Sequence, residues 1–549
     1  MSNKKKINLQ RAFVLAVVVS CSFWLGIFAS NNLSFFELDR SGPIEKFVDV
    51  LQLVTGSYID PVNPDTLVEG SIEGMLRRLD PHSVYIPSLE QNQIAEVFAG
   101  EFYGIGIQFE IRDNAILVVS PIPGTPADRM GLRAGDRIIE IDGINTIGIT
   151  NDLVFKRLRG PRGSAVRVKV ARNGEESFEL ILTRGKIPIH SVESAFILRD
   201  GITGYILVNQ FTAVTASELD MALDSLRSQG MKQLILDLRG NSGGYLSQAD
   251  EVADRFIEGG QLIVSTDGRI SISSEKMYSS QRATIPYLPL IILVNRGSAS
   301  ASEIVAGAIQ DLDRGLIIGQ PTFGKGLVQS PFQLNDGSVV RLTTARWYTP
   351  SGRCVQRPWD EGLGEYLMMS LEDPADTEEA DDTSGTDIKS DHEGSTRIPY
   401  KTRTGRIVYG ESGITPDIII DPGKLSKYSS KLFRDRVFIN WTREFADKLN
   451  AVEMPFSTFR DEWTLTRAQE KDFIDYASEQ GIEFDKQGWQ SDRSFMISQI
   501  KAEVAQRLYN GRQYLWQILV TEDKQVNAAL EHMNEADELA RKPILESNG

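Results

Sequence analysis

The 549-residue chain is long enough for several domains, and 41% apolar residues can give each a core. A net charge of −16 argues against nucleic acid as a partner, because phosphate binding needs clustered Lys and Arg. With only Cys21 and Cys354, a disulfide framework is excluded, and no CxxC or paired-His spacing points to a metal.

Lys4, Lys5, Lys6 and Arg11 precede an apolar run over residues 12–29, at the short end for a membrane span. The positive flank predicts a cytoplasmic N-terminus and export of everything beyond about residue 30. Residues 1–30 therefore read as a signal anchor or signal peptide. An uncleaved anchor is favoured over cleavage, since Ile27-Phe28-Ala29 lacks the small residue wanted two positions before a cut. It is also favoured over lipidation at Cys21, because Ser22 to Phe28 stays apolar where a polar tether is expected.

Residues 42–98 carry helical spacing, as in Ile44, Phe47, Val48, Leu51 and Val54, broken at Leu79-Asp80-Pro81-His82-Ser83. From Phe102 the period becomes two, and residues 99–185 are expected to form a small β-rich module with a helix across Asp152 to Leu158. From residue 190 to about 425 strands and helices alternate, which predicts a mixed α/β core. Residues 360–398 interrupt it with Asp, Glu, Ser and Thr and read as a solvated acidic insertion. Residues 426–549 are expected to be a charged helical extension. The fold class is thus multidomain α+β.

The stretch from Leu290 to Gln310 draws the chemistry together. A short apolar strand, Leu290–Val294, is broken by Gly297. Ser298, Ser300 and Ser302 follow at alternate positions, and a helix-compatible run begins at about Ala301. The first N–H groups of a helix have no intrahelical partner and favour a developing oxyanion. The plain alternative is an ordinary helix cap, a role serine often fills. Asp237-Leu-Arg-Gly-Asn-Ser-Gly-Gly244 ends another apolar strand, and its paired glycines permit close backbone approach. Their N–H groups would complete an oxyanion hole alongside Ala301.

The chain has four histidines, His82, His190, His392 and His532, and none is an obvious partner for Ser300. Lys325, between Gly324 and Gly326, is the alternative base. Burial beside apolar strands would lower its pKa so that it could accept a serine proton. If residues 326–329 are extended, Gln329 shares its face and can orient the amine. Gly319-x4-Gly324-Lys325 nearly matches a phosphate loop, but Gly326 stands where Ser or Thr is required and a strand follows. Nucleotide binding is rejected on that ground.

Ser298-Ala-Ser-Ala-Ser-Glu-Ile with Pro321-Thr-Phe-Gly-Lys-Gly-x-Val-Gln329 resembles the carboxyl-terminal processing (tail-specific) serine peptidases, Ser-Lys enzymes that carry a PDZ domain. Asp237-Leu-Arg-Gly-Asn-Ser-Gly-Gly, Thr349-Pro-Ser-Gly-Arg and Gly413-Ile-Thr-Pro-Asp417 agree, and the resemblance covers roughly residues 42–422. It implies an N-terminal helical segment, a PDZ domain over 99–185 and a peptidase core over 190–425, while the acidic insertion and the helical C-terminal extension depart from simple members. Ser300 would be the nucleophile, Lys325 the general base and Gln329 its holder. Ala301 and Gly243 would form the oxyanion hole, with Glu303, Asp237 and Arg239 supporting local geometry.

The PDZ domain would take a substrate C-terminus as an added strand, its carboxylate bound by Tyr103, Gly104, Ile105, Gly106 and Ile107. Arg159 matches a position tied in some members to PDZ-controlled activation. No cofactor or metal is implied. The implied partners are proteins with exposed C-terminal tails and the inner membrane through residues 12–29, with a second copy or an adaptor protein left open. The catalytic part would lie in the bacterial periplasm. The competing reading is a membrane-tethered PDZ adaptor with an inactive core, against which the intact Ser300, Lys325 and Gln329 stand.

Overall fold

The computed structural model describes residues 42–112, 114–172, 174–280, 285, 287–359, 366, 398–446 and 454–541. The run at 12–29 and nearly all of the acidic insertion, His392 included, lie outside them. Among the described residues no helix is long and apolar enough to cross a membrane, and no His, Cys, Asp and Glu group is placed to hold a metal.

Residues up to Leu79 form one unit, with helices Pro43–Ser57 and Pro64–Leu76. Each has proline in its first turn, where a missing N–H costs nothing, and Asn63 caps the second by accepting from Asp65 N.

The second unit begins at Asp80. Its β module has strands in the order Ile107–Arg112, Ala115–Pro121, Arg137–Ile141, Ala165–Ala171 and Phe178–Thr183. Alternation decides the core. Val166, Val168 and Val170 turn inward to meet Ile116, Val118 and Ile138, with Val154 and Leu158 closing one side from the helix Asn151–Leu158. Ile107–Arg112 is an edge strand with one side unpaired by the sheet.

The larger core is a six-stranded sheet ordered Val192–Ile197, Thr203–Val208, Gln233–Asp237, Leu290–Val294, Leu316–Gly319 and Ile418–Ile419, parallel from the second strand onward. Its central strands are uninterrupted apolar runs, the pattern of a sheet covered on both faces. Leu290, Ile292 and Val294 face helices Thr215–Ser228, Leu246–Asp254 and Ala301–Asp311. Ile291 and Leu293 face the other way, onto Val526, Ala529, Met533, Ala536 and Leu539 of helices Lys524–Glu531 and Met533–Arg541. Each buried Val, Leu or Met there contributes roughly 1.5–3 kcal/mol. The C-terminal extension is therefore in part the second layer of the α/β core.

A second sheet joins Val84–Ile86, Val339–Tyr348, Leu262–Gly268 and Glu275–Tyr278, with Leu327–Gln333 also paired to Val339–Tyr348. Lys325 stands just before that last hairpin. The remaining C-terminal helices enclose an aromatic core including Trp441, Phe459, Phe473 and Trp489.

Candidate active site

The three serines of the turn after Leu290–Val294 have different fates. Ser298 is buried and donates to Leu238 O at 2.8 Å while accepting from Asn295 N. Ser302 is buried and donates to Asn241 O at 2.8 Å. Ser300 is partly exposed and immediately precedes helix Ala301–Asp311, at φ 55 and ψ −112. A side chain at that φ is uncommon and costs backbone energy, on the order of 1–3 kcal/mol, which the surrounding bonds must hold in place.

The glycine loop supplies much of that restraint. Asn241 is fully buried; its carbonyl accepts from Ala299 N as well as Ser302 Oγ, and its amide donates to Val208 O. Gly243 sits at φ 104, and a Cβ there would lie 2.8 Å from Ser300 Cβ and 3.0 Å from Ala301 N. Only glycine brings backbone this close to Ser300. The Gly243 N–H donates to Asn241 Oδ1 at 2.9 Å, so receiving an oxyanion would require it to exchange that partner.

Glu303 joins the serine to the lysine. The carboxylate is fully buried. Its Oε2 accepts from Ser300 N and Lys325 N, both at 2.8 Å, and its Oε1 from Thr322 Oγ1 at 2.6 Å and Gly324 N at 2.7 Å. Two loops far apart in sequence thus hang by their amides from one oxygen. Burial raises the Glu303 pKa, and the four bonds partly offset that.

Lys325 has its pKa lowered to about 8, chiefly by burial and next by Arg341, with Glu303 and Asp80 opposing. Its carbonyl accepts from Trp347 Nε1 at 3.0 Å, which pins the loop to the second sheet. Gln329 pairs with Thr343, but a bulge falls between Val328 and Gln329 and interrupts the alternation on which a face shared with Lys325 would depend. The Gln329 Nε2 is buried with no hydrogen-bond partner among the described residues.

Sequence reasoning missed the groups that surround this lysine. Asp80 accepts from His82 N, Ser83 N, Ser83 Oγ and Thr343 Oγ1, fastening the Asp80–Ser83 turn to strand Val339–Tyr348. His82, read from the sequence as part of a helical region, lies close enough for Lys325 to help depress its pKa to about 4, after burial. It is neutral near pH 7, and its Nε2 meets Tyr366 Oη at 2.8 Å. Tyr366 Oη also accepts from Gln356 Nε2, and Gln356 Oε1 accepts from Gly326 N. The break at residues 79–83 was the only sign of this turn in the sequence.

Asp237 and Arg239 pair with each other, and Asp237 also accepts from Tyr205 Oη at 2.6 Å. Arg239 Nη1 reaches out of the site to Asp523 Oδ2 at 2.7 Å and Gln525 Oε1 at 2.9 Å. The pair binds the C-terminal extension to the strand end that carries the glycine loop.

In the β module, Tyr103 and Gly104 belong to a strand paired with Gly185–Pro188. The Ile105 carbonyl accepts from Ala127 N, the Gly106 carbonyl from Ile122 N and Thr125 Oγ1, and Ile107 opens the edge strand. Arg159 pairs with Glu96 at 2.6 Å, its guanidinium 4.3 Å from the Phe102 ring centroid and 4.8 Å from that of Phe155.

Family models match four segments. Residues 202–361 match peptidase family S41, 117–172 a PDZ domain, 31–88 the N-terminal domain of the activating protease CtpB, and 428–510 a family of unknown function. The carboxy-terminal processing protease CtpA of Bacillus subtilis is 32% identical over 408 residues, 72% of this chain and 86% of that protein. A carboxy-terminal-processing protease of Bartonella bacilliformis is 38% identical over 367 residues, 66% of this chain and 82% of its own length. Among solved structures, the photosystem II D1 C-terminal processing protease is 27% identical, with 69% of this chain and 87% of that one covered at a TM-score of 0.34.

Proposed function

The chain belongs to the carboxyl-terminal processing peptidases of family S41, and on that premise we propose that it is a serine endopeptidase with a Ser300–Lys325 dyad. One observation carries the reading: Ser300 and Lys325 hold their amides to one buried carboxylate oxygen of Glu303, beside a lysine whose pKa is lowered to about 8. A neutral Lys325 removes the Ser300 proton as Oγ attacks the scissile carbonyl. The oxyanion is received by Ala301 N–H and a glycine-loop N–H, that of Gly243 once it leaves Asn241. Lys325 then protonates the leaving amine, and water releases the acyl-enzyme. Gln329, its amide nitrogen buried and unpartnered among the described residues, is assigned to orient the amine from across the bulge at Val328.

The PDZ domain recruits the substrate by its C-terminal tail, added as a strand along Ile107–Arg112 with the carboxylate at Tyr103–Ile107. Arg159, wedged between Phe102 and Phe155 beside that edge, links tail binding to activity. Residues 12–29, with Lys4, Lys5, Lys6 and Arg11 before them, anchor the chain in the inner membrane with the peptidase in the periplasm. Recovery of the full chain in the soluble fraction would refute the anchor.

The dyad is tested by incubating the full chain with an unstructured protein and mapping fragments. Ser300→Ala should lose at least about 10³-fold in cleavage rate while still binding a tail peptide. Undiminished cleavage would remove Ser300 from the mechanism, and absence of cleavage by the parent chain would favour an inactive adaptor.

A further inference from the structure

The edge strand Ile107–Arg112 faces a second wall. Between it and the C-terminal helical region lies a cavity of about 890 Å³, lined on one side by this strand and Phe155 and on the other by Arg434, Arg436, Asn440 and Gln480. Ion pairs span the two sides. Arg443 Nη2 lies 3.2 Å from Glu110 Oε2, and Arg436 Nη1 lies 3.9 Å from Glu110 Oε1. Arg443 Nη1 is buried with no hydrogen-bond partner among the described residues. Arg436 stands at φ 55 in the turn between helices Lys427–Arg434 and Val437–Ala446.

Length and charge say what would fill this space. The edge strand has six residues and spans about 20 Å, so an added strand of similar length lies along it. With the carboxylate at the Tyr103–Ile107 end, the upstream residues of the tail run toward Glu110 and Arg112, where the second wall stands. Arg443 already neutralises Glu110. The charges on the second wall are Arg434 and Arg436 against the single carboxylate of Asp435.

We propose that the tail-binding groove is two-walled, and that the C-terminal helical region reads tail residues upstream of the terminal carboxylate, favouring acidic side chains there. The inference rests on the PDZ domain being the tail binder. It makes the segment over 428–510, matched to a family of unknown function, a specificity element of this peptidase.

Fluorescence anisotropy on the full chain carrying Ser300→Ala tests it with three labelled ten-residue peptides. One is neutral with a free carboxylate, one has two aspartates four and five positions before that carboxylate, and one is the neutral peptide amidated. The aspartate peptide should bind about threefold to fivefold tighter than the neutral one. Adding Arg434→Glu and Arg436→Glu, both exposed positions, should abolish or reverse that preference and leave the neutral peptide's Kd within about twofold. An unchanged preference in that variant, or none in its parent, would overturn the second wall alone. Tighter binding of every peptide by the variant would instead mark the wall as a block and also overturn the proposal. Equal binding of the amidated and free-acid peptides would overturn the PDZ reading, and the inference with it.

Discussion

Ser300 and Arg436 share a backbone angle, φ 55, in surroundings that differ in almost every other respect. Around Ser300 the polar groups turn inward: Ser298, Ser302, Asn241 and Glu303 are all fully buried and hydrogen-bonded. Around Arg436 the charges lie at a lip, with the arginine side chain 69% exposed and Glu110 29% exposed. A strained residue can thus be held by a dry network that tolerates no vacancy, or carried by a helix–helix turn whose ion pairs water can replace. Position is precise in the first case and adjustable in the second. That division would suit the proposed dyad, which must be aligned, and the proposed groove, which would read varied tails.

The sharpest way to break the contrast is Glu303→Gln. An amide in place of one carboxylate oxygen turns N–H groups toward N–H donors. Ser300 N and Lys325 N, or Thr322 Oγ1 and Gly324 N, then lose their acceptor. The expected cost is about 2–4 kcal/mol by denaturant unfolding, with a loss of about a hundredfold in kcat/KM from the displaced loops. Near-normal values for both would mean the carboxylate is not what aligns the two loops.

A smaller effect comes from pH. In the proposed dyad the active form of Lys325 is the neutral amine, and its pKa of about 8 predicts cleavage rising about tenfold between pH 7 and pH 9 before levelling. Because the folded value lies below the 10.5 of a free lysine, the unfolded chain binds more protons between these values. Lys325 therefore costs stability most fully below pH 8, and that cost fades as pH rises toward 10.5. A rate flat across this range would assign the proton to another group. The mildest change is Glu110→Gln at the lip, for which the expected loss of stability is under about 1 kcal/mol. A cooperative loss of several kcal/mol on thermal unfolding would erase the distinction between the two regions.

What the sequence revealed follows the same division. The serine turn and the glycine loop were legible because each is local: a broken apolar strand, small residues at fixed offsets and a helix start. The two-face burial of the central sheet was implicit in its uninterrupted apolar strands, but not which segment supplies the second cover. The approach of Asp80 and His82 to Lys325 was not legible, because it depends on the pairing of Val84–Ile86 with Val339–Tyr348, a long-range contact that no local pattern announces. Arg239 was marked for support of local geometry, but its partners Asp523 and Gln525 lie almost three hundred residues further along the chain.

That last connection bears on how the protein is made. The strand face around Tyr205, Ile235 and Ile291 is synthesised long before its cover, from Val526 to Leu539. At roughly 5–20 residues per second, this apolar surface would stay bare for on the order of tens of seconds. The anchor of Arg239, beside the glycine loop, arrives equally late. The turn that carries the glycine loop therefore gains this partner only after Asp523 has been made, so the proposed dyad would be fully framed long after its own strands emerge.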